Sequence, residues 1–269
     1  MNRVCWIVLV LFVFPDFGQA QSNYQATCTR TVPSISLLLN DGHEQIETSL
    51  HKFIESLKAK EKRFESKIDF ARYVFARTHR KFLDHYSRYT EFDRIFEARQ
   101  YNCLTGTALY AYLYYHLGFE VTLFETRYHS LVKIECHDGV ALIESTNPYE
   151  GFIAGHDKAN AAVQDCLKRE SSIAIDGLAI PVNRYPSIKR IDFKQLAGLQ
   201  YFNAGVVAFN EGHYGDALLP LQDAAGLYPE SERIADLIIL TKALIDNDLS
   251  KVKYLNSKQI SDNQTVSYP

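Results

Sequence analysis

Residues 103–144 read CLTGTALYAYLYYHLGFEVTLFETRYHSLVKIECHDGVALIE, and the fold turns on this stretch. Its first fifteen residues place Leu104, Ala108, Leu109, Ala111 and Tyr112 at helical spacing. Gly118 follows where a helix stops, because glycine accepts a left-handed backbone. Three runs rich in Val, Ile, Leu, Phe and Thr come next: Phe119 to Glu125, His129 to Glu135, and Val140 to Glu144. Asp138-Gly139 between the last two is a strong hairpin signal. A helix followed by an antiparallel meander makes the class α+β.

Upstream, the chain reads as helical over residues 41–99. Ile46, Leu50, Phe53, Ile54 and Leu57 mark one amphipathic helix, and Ile68, Phe70, Ala71, Val74 and Phe75 a second. Tyr86 to Phe96 has further helical spacing, and Ile35 to Leu39 reads as extended. Downstream, residues 149–190 are mixed, and helical pattern returns from Phe193 to Leu244. The expected architecture is a helical N-terminal half packed on a small antiparallel sheet, with a C-terminal helical hairpin.

The whole chain has 269 residues, enough for one large domain or two ordinary ones. A net charge of −3 gives no reason to expect a nucleic-acid partner. Residues 1–20 read as a secretory signal: Arg3, an uncharged run from Val4 to Phe14, then Gly18-Gln19-Ala20. The run is shorter than the ~20 apolar residues a bilayer span needs. This implies a secreted or periplasmic protein with no membrane span after signal removal. The expected division is a signal at 1–20, a main domain at 21–192, a helical unit at 193–250 and a polar tail at 251–269.

Of five cysteines, Cys5 lies in the signal and Cys28, Cys103, Cys136 and Cys166 remain. Cys103 opens a helix, where the dipole and free N–H groups favour a thiolate. His129 opens a strand and Glu144 ends another. A thiol nucleophile needs a base, and the base needs an acceptor that fixes its tautomer. Asn147 is the rival for the third role, because an amide can also orient an imidazole. A two-residue turn at Asp138-Gly139 would pair 133 with 144. That would leave His129 roughly 13 Å along the strand from Glu144's partner, so a shifted register is required. Gln100 and Asn102 lie near enough to be considered as oxyanion donors, but loop hydrogen bonding is their commoner use. Cys136, His137 and Asp138 at the hairpin lack the paired ligand spacing of a metal site, so no metal or cofactor is expected. With Cys103 free, Cys28, Cys136 and Cys166 allow at most one disulfide.

The stretches Tyr101 to Tyr110, Tyr128-His129-Ser130-Leu131-Val132 and Leu142 to Pro148 resemble the cysteine helix, histidine strand and acid strand of the transglutaminase-like superfamily. The resemblance covers about residues 65–155. It implies a papain-like core in permuted order, with Cys103 as nucleophile, His129 as general base and acid, and Glu144 as orienting acid where the family usually has Asp. It implies acyl transfer on a protein or peptide substrate, with hydrolysis ahead of crosslinking. Tyr201, Gly205, Ala217, Leu221, Ala224 and Pro229 resemble a tetratricopeptide repeat, with Gly212 in its turn and a capping helix from Ser231 to Leu244. A lone repeat packs on the main domain or on a protein partner. The competing expectation is a catalytically idle domain that, with this repeat, binds proteins at the cell envelope.

Overall fold

The computed structural model describes residues 33–39, 44–171 and 188–247. Residues 1–20, expected to be a signal, Cys28 and residues 251–269 lie outside the described residues. The chain combines helices with a five-stranded antiparallel sheet. A 3-10 turn, Ile35–Leu37, replaces the extended lead-in expected there. Ile35 is buried, so the run of apolar residues there packs into the core rather than pairing as a strand. Helices α1 (Glu44–Glu61) and α2 (Lys67–Phe82) then follow, and α2 is capped by Ser66, whose Oγ accepts from Asp69 N at 3.0 Å. The helical expectation fails at Tyr86 to Phe96. Strand β1 (His85–Tyr86) pairs in parallel with β2 (Gln100–Tyr101), and only the short α3 (Arg94–Ala98) lies between. The apolar side chains there anchor the loop in the core: Phe92 and Ile95 are fully buried, and Phe96 stands edge-on to Phe92 and Phe82.

Helix α4 (Cys103–His116) is the central element. It was expected to show one apolar face, but every residue from Leu104 to Ala111 is buried, as are Leu113 and Tyr114. Tyr112, assigned to that face, is only half-buried. A helix apolar all round belongs in the interior. Its tyrosine hydroxyls stay satisfied there: Tyr110 donates to Phe75 O at 3.1 Å and Tyr114 to Ala71 O at 2.8 Å, which binds α4 to α2. Gly118 takes φ +80° just beyond the C-cap Leu117.

The main sheet runs β6-β5-β4-β3-β7, from β3 (Glu120–Thr126), β4 (Ser130–Cys136), β5 (Gly139–Ile143), β6 (Phe152–Ala154) and β7 (Ile188–Ile191). Leu123, Val132, Ile134, Ala141 and Ile143 face the core shared with α2 and α4. Leu131 and Leu142 face the other way, onto Ala159 of α5 (His156–Ser171). The stretch 149–190, without clear pattern in sequence, therefore supplies both edge strands and the helix that covers the second face.

The hairpin turn is His137-Asp138, not Asp138-Gly139, and Cys136 pairs with Gly139. Two contacts explain the shift. Asp138 Oδ2 accepts from Lys67 N, at the start of α2, at 2.5 Å. A Cβ on Gly139 would come within 2.7 Å of Ile68 Cγ1. Gly139 thus serves close packing of strand on helix rather than the turn.

Helices α6 (Phe193–Asn210), α7 (Tyr214–Leu227) and α8 (Glu232–Ile245) close the described chain. A Cβ on Gly205 would sit 2.6 Å from Leu221 Cδ2, so this glycine lets α6 and α7 touch. Gly212 turns between them at φ +80°. This unit does not stand apart from the sheet. Leu196, Ala197, Leu199, Ala224 and Tyr228 join the main core, and Tyr228 OH donates to Glu125 Oε2 of β3 at 2.8 Å.

Candidate active site

Cys103 is the first residue of α4 because Asn102 breaks the helix there and caps it. Asn102 is extended (φ −131°, ψ −175°). Thr105 N donates to Asn102 Oδ1 at 2.9 Å, and Asn102 N donates to Thr105 Oγ1 at 3.0 Å, a reciprocal capping box. Asn102 Nδ2 donates to Arg88 O and Thr90 O, each at 3.1 Å. The side chain is fully used in holding the helix start, so Asn102 is not an oxyanion donor. Gly106 N donates to Asn102 O at 3.0 Å, which leaves the N–H groups of Cys103 and Leu104 as the two in the first turn that Asn102 does not take.

Two further bonds dock this helix start on the strand ends. Thr107 Oγ1 donates to Ser130 O at 3.0 Å, and Ser145 Oγ donates to Cys103 O at 3.3 Å. Ser130 and Ser145 are the neighbours of His129 and Glu144, so these bonds bring all three candidate residues to one place. The approach is close: a Cβ on Gly106 would lie 2.7 Å from Ser145 Oγ.

His129 ends the turn between β3 and β4. His129 Nε2 bonds to Glu144 Oε2, and the Cys103 thiol lies beside the ring, near enough to act on its charge. Burial works against the charged imidazole, but the bonds and charges of Cys103 and Glu144 outweigh it and push His129 up to about 11. Burial would also raise Glu144. His129 and Thr146 win, and the carboxyl is held below its usual range. Thr146 supports it twice, donating from N at 2.9 Å and from Oγ1 at 2.7 Å to Glu144 Oε1.

Register accounts for the His129–Glu144 contact. Val132 pairs with Ile143, so Glu144 stands opposite Leu131 and His129 is two residues away on the same side. The expected two-residue turn at 138–139 would have kept them apart. Asn147 does not take the third role. Its Oδ1 accepts from Tyr149 N at 3.2 Å and Glu150 N at 3.0 Å, closing the loop after Glu144.

Aromatic side chains border the site. Tyr86, 57% exposed, stands edge-on to Tyr101 with ring centroids 6.1 Å apart. Burial raises both hydroxyls, with Cys103 adding to the rise at Tyr86 and Glu144 to that at Tyr101. Neither this wall nor the role of Thr146 was read from the sequence. The Glu-Ser-Thr-Asn run held the signal for Thr146, since hydroxyls two residues on often return to a side chain.

No family model, curated protein or solved structure matches the chain.

Among the described residues, Cys103, Cys136 and Cys166 are free thiols and no cluster of His, Cys, Asp and Glu is arranged to hold a metal ion. Cys136 is occupied at the hairpin, where burial and a bond to Asp138 raise it to about 11. A thiol in that state is a poor nucleophile. The site's chemistry therefore rests on Cys103, His129 and Glu144. They bring a thiol, an imidazole and a carboxylate together at a helix N-terminus, with the imidazole bonded to the carboxylate.

Proposed function

We propose that the protein is a cysteine acyl-transfer enzyme of transglutaminase-like type that hydrolyses an amide or peptide bond outside the cytoplasm. The observation that carries this reading is the meeting of Cys103, His129 and Glu144 at the start of α4, with His129 bonded to Glu144 and the Cys103 thiol beside the ring. A charged imidazolium beside a cysteine is the setting in which thiols react as thiolates.

In this mechanism the Cys103 proton already resides on His129, and the thiolate sulfur attacks the substrate carbonyl. The Cys103 and Leu104 N–H groups face the developing oxyanion. His129 returns its proton to the leaving amine, and a thioester remains. His129 then takes a proton from water, whose oxygen displaces the sulfur and releases the acid. Glu144 holds the imidazole orientation and balances its charge through both steps. The α6–α8 unit, read as one tetratricopeptide-like repeat, braces the domain and offers a protein-binding surface.

Thiol labelling tests the reading. Cys103 is expected to react with iodoacetamide near neutral pH far faster than Cys136 or Cys166, and to lose that advantage in His129→Ala. Equal, slow labelling of all three would favour an idle domain that binds proteins.

A further inference from the structure

Glu170 is a buried carboxylate near the C-terminal end of α5, 6% exposed. Burial penalises a charged carboxyl, and the C-terminal turn of a helix is the negative end of its dipole. Among the described residues, the hydrogen bonds of its side chain all go to one place, the turn that carries His129. Glu170 Oε1 accepts from Thr126 Oγ1 and from Tyr128 N, the latter at 3.2 Å. Glu170 Oε2 accepts from Arg127 N at 3.2 Å. The turn then closes on itself: His129 N donates to Thr126 Oγ1 at 3.0 Å and Thr126 N to His129 O at 2.8 Å. Arg233 Nη1 holds the opposite side through Arg127 O at 3.0 Å. The N–H groups of residues 126 to 129 are therefore all taken, and two of them are taken by Glu170.

Resting on the Cys–His reading above, we propose that Glu170 is a positioning residue: it fixes the 126–129 turn so that the His129 ring meets both the Cys103 thiol and the Glu144 carboxylate. It touches none of the reacting atoms. It acts because residues 127–129, which carry the ring, lie beyond the last strand pairing at Thr126, and a turn free to shift by an ångström would pull the ring from one of its two partners. A carboxyl side chain is what the place requires, since three donors converge there and it turns both of its oxygens to them, where an amide has one. The titratable groups around the ring are Cys103 from α4, Glu144 after β5 and Cys166 from α5.

The test uses the full chain with Glu170→Ala and Glu170→Gln. Two readouts are followed: the titration of the His129 ring by NMR, and Cys103 alkylation by iodoacetamide. In Glu170→Ala the His129 midpoint should fall by about one unit or more as its bonds loosen. Cys103 alkylation should slow by about tenfold to a hundredfold, as ångström-scale misplacement does. Glu170→Gln keeps the shape and one acceptor oxygen, and should fall between wild type and Ala in both readouts. Should Glu170→Ala fail to fold, the Gln variant carries the test through the same two measurements. A His129 midpoint identical to wild type in the folded variant overturns the proposal, even if the protein is less stable, because an anchor of α5 alone would give that result. If wild-type Cys103 reacts no faster than in His129→Ala, the acyl-transfer reading falls, while the His129 titration still decides the role of Glu170.

Discussion

Glu144 meets His129 diagonally across the β4–β5 ladder, two residues from its own cross-strand position opposite Leu131. Each residue lies just beyond the end of its strand, so the contact depends on the hairpin register and on the loops that follow. A change of one residue in turn position separates the productive register from the unproductive one, because moving the turn centre by one shifts the pairing by two.

Replacing Glu144 separates orientation from charge. Glu144→Gln can still bond the ring but supplies no negative charge, whereas Glu144→Ala removes both. The His129 midpoint should fall in both variants and further in Ala. Cys103 alkylation should slow by roughly tenfold in Gln and a hundredfold in Ala, the scale of positioned acid–base groups. Thr146→Ala, which removes one of the two bonds to Glu144 Oε1, should show a smaller shift in the same direction.

The start of α4 should be sensitive to Gly106. An alanine there brings a methyl within 2.7 Å of Ser145 Oγ and 2.8 Å of Ser145 Cβ. Gly106→Ala should cost about 1–3 kcal/mol by overpacking, read by urea denaturation. It should also slow Cys103 alkylation, because the helix start and the Glu144 strand end are pushed apart. Normal reactivity in a destabilised variant would show that the site tolerates the separation.

Two glycines of the helical unit make an internal control. Gly205→Ala clashes with Leu221 and should destabilise by about 1–3 kcal/mol. Gly226, in α7, has open space around its Cβ position, and Gly226→Ala should stabilise by about 0.5–1 kcal/mol through helix propensity alone. Denaturation midpoints moving in opposite directions would support the close α6–α7 contact.

Acid should weaken the fold through one buried and one half-buried histidine, His79 and His116. Burial lowers His79, against a bond to Ser145 O at 3.2 Å, and burial followed by Lys58 and His51 lowers His116. The unfolded chain protonates each near 6.5 while the native state does so only at lower pH. The unfolded state thus binds more protons, and stability falls as pH drops below about 6.5. His129 has the opposite sign. Its folded value is raised, so its contribution is complete below 6.5 and is lost as pH rises toward about 11. Between pH 6.5 and 5 the loss should come from His79 and His116. Unfolding measured across that window should flatten in His79→Gln, which keeps a donor for Ser145 O. An unchanged slope would place the acid sensitivity elsewhere.

The sequence by itself determined part of the element list. Apolar periodicity marked α1, α2, α4 and α6 to α8, and Val, Ile and Phe runs marked β3 to β5 to within a residue. Those signals are local, set by which side chains repeat every two or every three to four positions. Cys103 at a helix start and His129 and Glu144 at strand ends were legible for the same reason. Tertiary structure alone decided that they meet. The Asp138-Gly139 pair promised a turn, but α2 drew Asp138 to its N-terminus and pressed Ile68 on Gly139, moving the turn by one residue. Glu170 lies 41 positions from His129 and in no motif, so only the packing of α5 on the outer face of the sheet brings its carboxylate to the histidine turn. Local patterns fix which residues form an element. Register and the burial of distant polar groups depend on contacts between elements, and no window along the chain contains those.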